Sequence, residues 1–268
     1  MKSFFLALTS VCMILPAVSA HADVILDYRI NNEQPSHQVM VAHGFVLIPG
    51  VAEGGKSDLL YLPPQHSAML INHRKKQYMI INQKRLEQLA SQAEIAQPIL
   101  KGLSSQIKQL DPKQQEKWNN MLGGIDFSDT DSYLSGHYEL KRKGQAAMAL
   151  GGQCDEYDVV EGGGKTAAQI CLASQQALRL EPIDYKALRD LLDFTAELHS
   201  SMHGLAQKFL GGLPGIRIEG HDGIPANIRQ LQGESRQSLT LKSVRHETLD
   251  IARFTVPQGY QEKHFKIW

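Results

Sequence analysis

The chain has 268 residues, of which 42% are hydrophobic, enough for the core of one large domain or two small ones and too many for a disordered protein. Its 28 basic residues balance its 28 acidic ones, so the formal net charge is zero. A neutral chain has no overall field that would recruit nucleic acid or anionic lipid, and nucleic acid is therefore not an expected partner.

The first 22 residues have the pattern of a secretory signal peptide. Lys2 precedes an apolar stretch that ends at Ser19-Ala20-His21-Ala22, where small residues occupy the recognition positions of signal peptidase. The apolar stretch is too short to be a permanent membrane anchor, so we expect no integral membrane segment after its removal. Cleavage after Ala22 or Ala20 is predicted, with Ala22 favoured, and the mature protein is expected in the periplasm.

Two cysteines remain after cleavage, Cys154 and Cys171, because Cys12 lies within the signal. Both are equally far from Gly162-Gly163, so a hairpin that turns at this pair would place Cys154 directly opposite Cys171. An oxidising compartment lets a disulfide persist. A redox pair would favour C-x-x-C spacing, and a metal site would need further soft ligands, so the pair is interpreted as a structural disulfide.

Runs of strand pattern alternate with two helical patterns along the mature chain. Extended segments are predicted at residues 24–30, 39–48, 59–62, 133–143, 146–150, 172–180, 224–232, 238–246 and 251–256, with hairpins at residues 68–82 and around the two cysteines. Helical insertions are predicted at about residues 84–122, with a break at Pro98, and at residues 184–210, where Asp184 is expected to cap the helix.

This order predicts a single α+β domain over residues 23–268, with an antiparallel sheet and the helices packed on one of its faces. Residues 39–48 are apolar on both sides of the predicted strand. Either both faces of the sheet are covered there, or one face lines a cavity.

Two segments match parts of known functional motifs. Residues 162–166, Gly-Gly-Gly-Lys-Thr, have the end of a phosphate-binding loop, but Val159 stands where that motif needs glycine, and a strand is expected to follow, so a flexible turn is favoured. His199 and His203 lie four apart on a helix, a spacing that suits zinc, but Ser200 replaces the glutamate of a hydrolytic site, and solvated histidines are favoured.

Other polar residues support no catalytic assignment. No glycine-framed serine marks a nucleophile, and the carboxylates of Glu181, Asp184, Asp190 and Asp193 suit the positive end of a helix dipole. Residues 73–76, His-Arg-Lys-Lys, form a basic hairpin tip that is interpreted as a solvated turn, with an acidic partner or an anionic lipid surface as the alternative. We therefore predict no catalytic residue, no metal ligand and no cofactor, and leave the ligand-binding residues unassigned.

Three segments together resemble a family of exported bacterial proteins of unknown function that is related to the lipoprotein-carrier (LolA/LolB-like) fold. They are the hairpin at residues 69–81, the cysteine hairpin, and Phe254-Thr255-Val256-Pro257-Gln258-Gly259-Tyr260. The resemblance covers residues 23 to 262 in its order of elements. It implies a half-open antiparallel barrel whose concave face is covered by helices and, in the carriers, holds acyl chains.

Two features depart from the carriers: the helical insertion from Lys84 to Leu122 is long for a lid, and no position matches the cavity arginine of the carriers. The expected function is that of a non-enzymatic periplasmic binding protein or carrier for an apolar ligand, either a lipid or an acylated protein. The alternative is a sensor or accessory subunit of an envelope protein complex.

The predicted cleavage site is tested by the N-terminus of the mature protein. Intact-mass analysis of the chain purified from the periplasm should give a protein that begins at Asp23, because Ala20 and Ala22 then both occupy the recognition positions. A protein that retains residues 1–22 would contradict the signal peptide, and one that begins at His21 would move the cleavage to Ala20.

Overall fold

The computed structural model describes residues 23–31, 33, 36–52, 55–85, 88, 138–202, 218, 220–231 and 237–263. The signal peptide and both proposed cleavage sites lie outside these residues. So do most of the first predicted helical insertion and the second one beyond Met202. Those expectations remain predictions.

The described strands are β1 (Asp23–Ile30), β2 (His37–Ala42), β3 (Phe45–Ala52), β4 (Ser57–Leu62), β5 (Ser67–Asn72), β6 (Gln77–Asn82), β7 (Tyr138–Ala147), β8 (Gln153–Glu161), β9 (Thr166–Ala173), β10 (Ile224–Gln230), β11 (Ser238–Glu247) and β12 (Gln261–Glu262). They form one 12-stranded sheet in the order β12-β6-β5-β4-β3-β2-β1-β11-β10-β9-β8-β7. Neighbouring strands are antiparallel except β12, which pairs parallel with β6, so the sheet is mixed rather than purely antiparallel as predicted. The described strands leave the sheet open and do not close it into a barrel. This sheet, together with the helices of the described residues, is compatible with the predicted α+β class.

Two α-helices are described beyond β9, α1 (Gln175–Leu178) and α2 (Pro182–Met202). The extended segment predicted at residues 172–180 was wrong after Ala173, because the Ser174 side chain accepts a hydrogen bond from the Ala177 amide and caps α1. Asp184 is not the cap of α2, since the helix begins at Pro182 and Asp184 lies in its first turn. Residues 83–85 are helical, where the first insertion was predicted to begin.

The single strand predicted at residues 39–48 is two strands joined by a tight turn. His43 and Gly44 both have positive φ, 51° and 76°, which is the backbone of the two-residue turn that fits the twist of a hairpin. Met40 pairs with Leu47 across that turn. A side chain at Gly44 would have to displace Ile183 of α2, since an added Cβ would lie 3.0 Å from the Ile183 Cγ1.

Two further predictions of local structure need correction. Residues 133–143 and 146–150 were predicted as separate strands, but β7 runs through Gly144, where the register shifts and the glycine has a φ of 150°. Residues 251–256 were predicted as extended, but Ile251–Phe254 form a 3-10 helix that the Asp250 side chain caps.

One face of the sheet packs against α2, and we call it the helix face. Alternate residues of β1 to β4 point to this face and form the largest core cluster together with the inner side of α2, where Leu188, Leu191, Phe194 and Leu198 are buried. The Phe194 ring lies 5.2 Å from the ring of Tyr61, which is fully buried.

The opposite face of β1 to β6 is covered by the C-terminal segment, residues 248–263, which we call the strap. Phe254, 4% exposed, is its central contact and packs among strand residues that include Ile25, Met40 and Leu47. Leu249, Val256 and Tyr260 of the strap pack against the same cluster. Both faces of β2 and β3 are therefore covered, which is the first of the two alternatives that the sequence left open.

The strap face of the other half of the sheet carries polar contacts instead. Lys143 lies 3.3 Å from Glu156, and Gln169 donates a hydrogen bond to Asp158 and accepts one from Arg229. On the helix face of the same strands, Val159, Ile170 and Ile228 form a second cluster that contacts Leu192 of α2. The strap thus covers one half of the sheet, whereas polar side chains meet the solvent on the same face of the other half.

The two cysteines are joined by a disulfide, with their Cα atoms 5.6 Å apart. They are not directly opposite each other, however, because Cys171 pairs with Glu156. The register differs by two residues from the predicted one. The position of the turn, which is flanked by the pair Val160 and Thr166, accounts for one residue, and the β-bulge between Val159 and Val160 accounts for the other. The disulfide therefore links diagonal neighbours on β8 and β9.

The strap should contribute strongly to stability through Phe254. We expect Phe254→Ala to lower the free energy of unfolding by about 3–5 kcal/mol, because it removes a fully packed aromatic ring. Ile251→Ala, in the same 3-10 helix but 47% exposed, should change it by less than about 0.5 kcal/mol. Urea unfolding of the two variants measures the difference, and equal effects would show that the strap does not hold the second face.

Candidate functional site

A row of partly exposed apolar side chains crosses the helix face at one end of the sheet. Each is apolar and lies near the end of its strand, and we call the set the apolar rim: Ile30, Val51, Leu70, Met79, Leu140 and Leu239. Strand register aligns them, since Leu70 pairs with Met79 and Ile30 pairs with Leu239. Behind the rim lie the buried side chains of Tyr28, Ile48 and Leu59.

Contacts of α2 lie at the opposite end of the sheet. Ile183 approaches the turn between β2 and β3, and the Arg189 guanidinium donates a hydrogen bond to the carbonyl of Gly223, just before β10. The Tyr185 hydroxyl donates to Asp222 at 2.6 Å. The rim therefore lies at the end of the helix face that is remote from these anchors.

The end of the sheet opposite the rim also anchors the second half of α2. His66, which follows the 3-10 helix Pro63–Gln65 after β4, lies with its Nε2 3.1 Å from Glu197, and its ring meets Phe194 edge-on. Burial raises the pKa of Tyr61, and the charges of Asp190, Glu197 and Asp193 raise it further. The Tyr61 hydroxyl therefore remains neutral near His66, and the arrangement supports attachment of the helix rather than proton transfer.

At the rim end, the tip between β5 and β6 is held in place by three neighbouring segments. The His73 Nε2 lies 2.9 Å from the Asp58 carboxylate, and its Nδ1 lies 3.2 Å from the Tyr260 hydroxyl of the strap. The His73 amide donates to the Lys56 carbonyl. The basic tip predicted from the sequence is thus an exposed turn with a fixed position.

The glycine-rich segment at residues 162–166 lies within the described residues, whereas one histidine of the pair considered for zinc does not. Gly162, Gly163 and Gly164 form a turn between β8 and β9, as predicted, and Thr166 begins a strand rather than the helix that a phosphate loop requires. His203 lies outside the described residues, so the zinc pair of His199 and His203 stays untested. In the described part of the chain, no group of three or more His, Cys, Asp or Glu side chains is placed to hold a metal ion.

A network of hydrogen bonds on the strap face surrounds Asp27. Its carboxylate accepts hydrogen bonds from Gln38 on β2 and from Ser243 and Arg245 on β11. Burial acts to raise the pKa of Asp27, but hydrogen bonds from Ser243, Arg245 and Gln38 outweigh it and lower that pKa. All of these groups serve to join three strands, so the network is structural.

The sequence indicated the ingredients of the rim but not the rim itself. Leu70 and Met79 were part of a predicted hairpin, whereas Leu140 and Leu239 lie 58 and 157 residues beyond its end at Asn82. Their alignment requires the strand order β6 to β7 across the whole sheet, which periodicity within single strands does not contain.

Comparison with known proteins adds little to this description. No family model and no curated protein matches the chain. A solved structure described as an uncharacterized conserved protein from Thermus thermophilus is similar with a TM-score of 0.40 and 8% sequence identity, over 91% of each chain. This similarity is too low to indicate a shared fold or function. None of the described helices has the length and hydropathy of a transmembrane span.

The Asp27 network predicts a stability difference that depends on pH. Asp27→Asn should lower the free energy of unfolding by about 1–2 kcal/mol near neutral pH, because a charged acceptor of three hydrogen bonds is lost. Glu247→Gln, which removes only the exposed second partner of Arg245, is the matched control and should have little effect.

Acid should reduce this difference in the free energy of unfolding between wild type and Asp27→Asn. Since the folded-state pKa of Asp27 is lowered, its contribution is present above the ordinary aspartate pKa and is lost as the pH falls below about 4. Urea unfolding of wild type and Asp27→Asn at pH 7 and pH 3 measures this difference in the free energy of unfolding. A gap that persists unchanged at pH 3 would mean that the carboxylate charge does not matter.

Proposed function

We propose that this protein is a non-enzymatic periplasmic binding protein or carrier for an apolar ligand, a lipid or an acylated protein, and that the ligand binds at the apolar rim on the helix face. The observation that carries the proposal is the position of the rim. Six apolar side chains keep part of their surface exposed at the end of the sheet remote from the anchors of α2.

The chemistry of the rim favours acyl chains over polar ligands. Its members are isoleucine, valine, leucine and methionine, and the side chains behind them are also largely apolar. Methionine adapts its shape to irregular apolar partners. Burial of an acyl chain against such a surface contributes roughly 0.8 kcal/mol per methylene, so about ten buried methylenes supply the roughly 8 kcal/mol of micromolar binding.

Dimensions of the sheet also suit an elongated ligand. Neighbouring strands lie about 4.8 Å apart, so the rim, which extends from β6 to β7 through ten strand intervals, spans on the order of 50 Å along the sheet. The six side chains lie on β6, β5, β3, β1, β11 and β7, so a single acyl chain would contact only part of the rim. Side chains separated in this way suit a chain-like molecule better than a compact one.

The arrangement of elements supports a carrier-type fold as part of the same proposal. An open sheet with a helix across one face is compatible with what the lipoprotein-carrier resemblance implies, and the finer assignment to a half-open LolA/LolB-like barrel belongs to the proposal. The strap covers the other face of β1 to β6, and the proposal therefore places the ligand on the helix face.

A pair of double variants tests the rim directly. We expect Leu70→Gln with Met79→Gln to weaken binding of a fluorescent fatty acid by about tenfold or more, because two apolar contacts are replaced by amides. The matched control is Met69→Gln with Ile80→Gln, the neighbouring cross-strand pair on the opposite face, which is also partly exposed. Fluorescence titration of the delipidated mature protein gives the dissociation constants.

The wild-type protein should also carry ligand from its own compartment. Native mass spectrometry and organic extraction of protein purified from the periplasm should yield a bound lipid or an acylated polypeptide. Equal losses of affinity in both double variants, or no binding by the folded wild type, would refute the apolar rim as the site.

A further inference from the structure

We infer that the rim end of the protein docks on an anionic phospholipid surface through a cluster of five basic residues, which we call the basic cluster: Lys56, Arg74, Lys75, Lys76 and Lys263. All five side chains are exposed. The inference deepens the proposed function, and rests on it only in identifying a lipid surface as the source or destination of the ligand.

Three segments that are distant in the sequence bring these residues together. Lys56 lies in the turn between β3 and β4, residues 74–76 form the tip between β5 and β6, and Lys263 follows β12 at the end of the strap. The whole chain is neutral, but these segments concentrate positive charge at one corner of the sheet. A local potential of this kind acts within a Debye length of about 10 Å, where the net charge of the protein is irrelevant.

Backbone contacts fix the relative position of the three segments. The His73 amide donates to the Lys56 carbonyl at 3.1 Å, the Gln261 amide donates to the Lys76 carbonyl at 3.1 Å, and the Lys263 amide donates to the Tyr78 carbonyl at 2.8 Å. The His73 contacts to Asp58 and Tyr260 lock the same corner. The charges are therefore presented by a rigid platform rather than by a loose loop.

Among the residues that the structure describes, the carboxylates of Asp58 and Glu262 lie beside the cluster, and each has a partner outside it. Asp58 accepts a hydrogen bond from the Gly50 amide and lies 2.9 Å from the His73 ring nitrogen. Glu262 pairs with Arg85 at 2.6 Å. Even when both carboxylates are counted against the five cations, the corner keeps an excess of positive charge.

The basic cluster adjoins the apolar rim. Leu70 lies two residues before the end of β5, Met79 lies two residues after the start of β6, and the tip joins these strands. Continuation of the β12 register places Lys263 beside Met79. A phospholipid surface has phosphate head groups, which suit the basic cluster, directly above acyl chains, which suit the apolar rim. The adjacency of cluster and rim therefore favours a lipid surface over an acidic protein.

Vesicle binding by the full mature chain tests the inference. We expect flotation with vesicles of phosphatidylcholine containing about one-third phosphatidylglycerol, weak binding to pure phosphatidylcholine, and loss of binding as salt is raised. Lys56→Gln with Lys75→Gln and Lys76→Asn should weaken vesicle binding on the order of a hundredfold, since each basic residue contributes about fivefold. Asparagine is used at position 76 because Lys76 has a φ of 50°.

The control carries the same change in net charge at sites outside the cluster: Lys141→Gln, Lys165→Gln and Lys186→Gln. It should bind anionic vesicles as the wild type does. Equal binding of the wild type to both vesicle types, or equal loss in both triple variants, would overturn the inference. So would failure to bind vesicles together with salt-sensitive binding to polyglutamate, which would assign the cluster to an acidic protein.

Failure of this inference can be separated from failure of the proposed function. Fluorescent fatty acid binding without vesicles depends on the rim and should be unchanged in the Lys56, Lys75 and Lys76 variant. A wild type that binds the fatty acid but not anionic vesicles would overturn docking alone. A wild type that binds anionic vesicles but not the fatty acid would overturn the carrier proposal and leave the docking surface in place.

Discussion

Burial of β2 and β3 on both faces is the constraint on which the rest of the structure depends. Residues that alternate along these strands are apolar in both directions, so neither face can be left to water. Met40 and Leu47 point to one side while Val41 and Val46 point to the other, and all four are buried. One chain segment cannot cover both sides, which is why the fold needs α2 on one face and the strap on the other.

The two covers act at different places, and this difference determines where a ligand has room. The strap packs along its face around Phe254 and ends by pairing with the edge strand β6. The anchors of α2, in contrast, lie at the end of the sheet near Gly44, His66 and Gly223. The apolar surface of the helix face continues beyond those anchors to the rim. The same apolar excess that requires two covers thus provides the surface to which we assign the ligand.

The sequence predicted the class of fold and most of the strands because these depend on local periodicity. Residues 24–30, 59–62 and 68–82 have alternating or paired patterns bounded by turn residues, and each forms the predicted element. The prediction failed at the turn between β2 and β3, where no cluster of polar or turn-forming residues marks the end of a strand. His43-Gly44 does not interrupt the apolar run by polarity, yet positive φ at both residues reverses the chain and makes two strands from one.

Register was the second property that local patterns did not determine. Symmetry of the cysteines about the glycines predicted direct opposition. The position of the turn and a bulge near Val160 each shifted the pairing by one residue, while still leaving the sulfurs close enough to bond. A diagonal neighbour on an antiparallel pair remains within reach of a side chain. A shift of two residues also leaves both cysteines on the same face of the sheet, so the disulfide can still form. The cysteine pairing was therefore predictable although the strand register was not.

The candidate sites differ in the same way. The basic tip is contiguous in sequence and was visible there, but its neighbours Lys56 and Lys263 are brought to it by the β3–β4 turn and by the strap. A count of charges over the whole chain hides this corner, because electrostatic attraction to a surface depends on charges within a Debye length of it, about 10 Å. The strap therefore acts at two places. Its apolar middle covers the second face of the sheet, and its end brings a cation to the basic tip and pairs as a strand with β6.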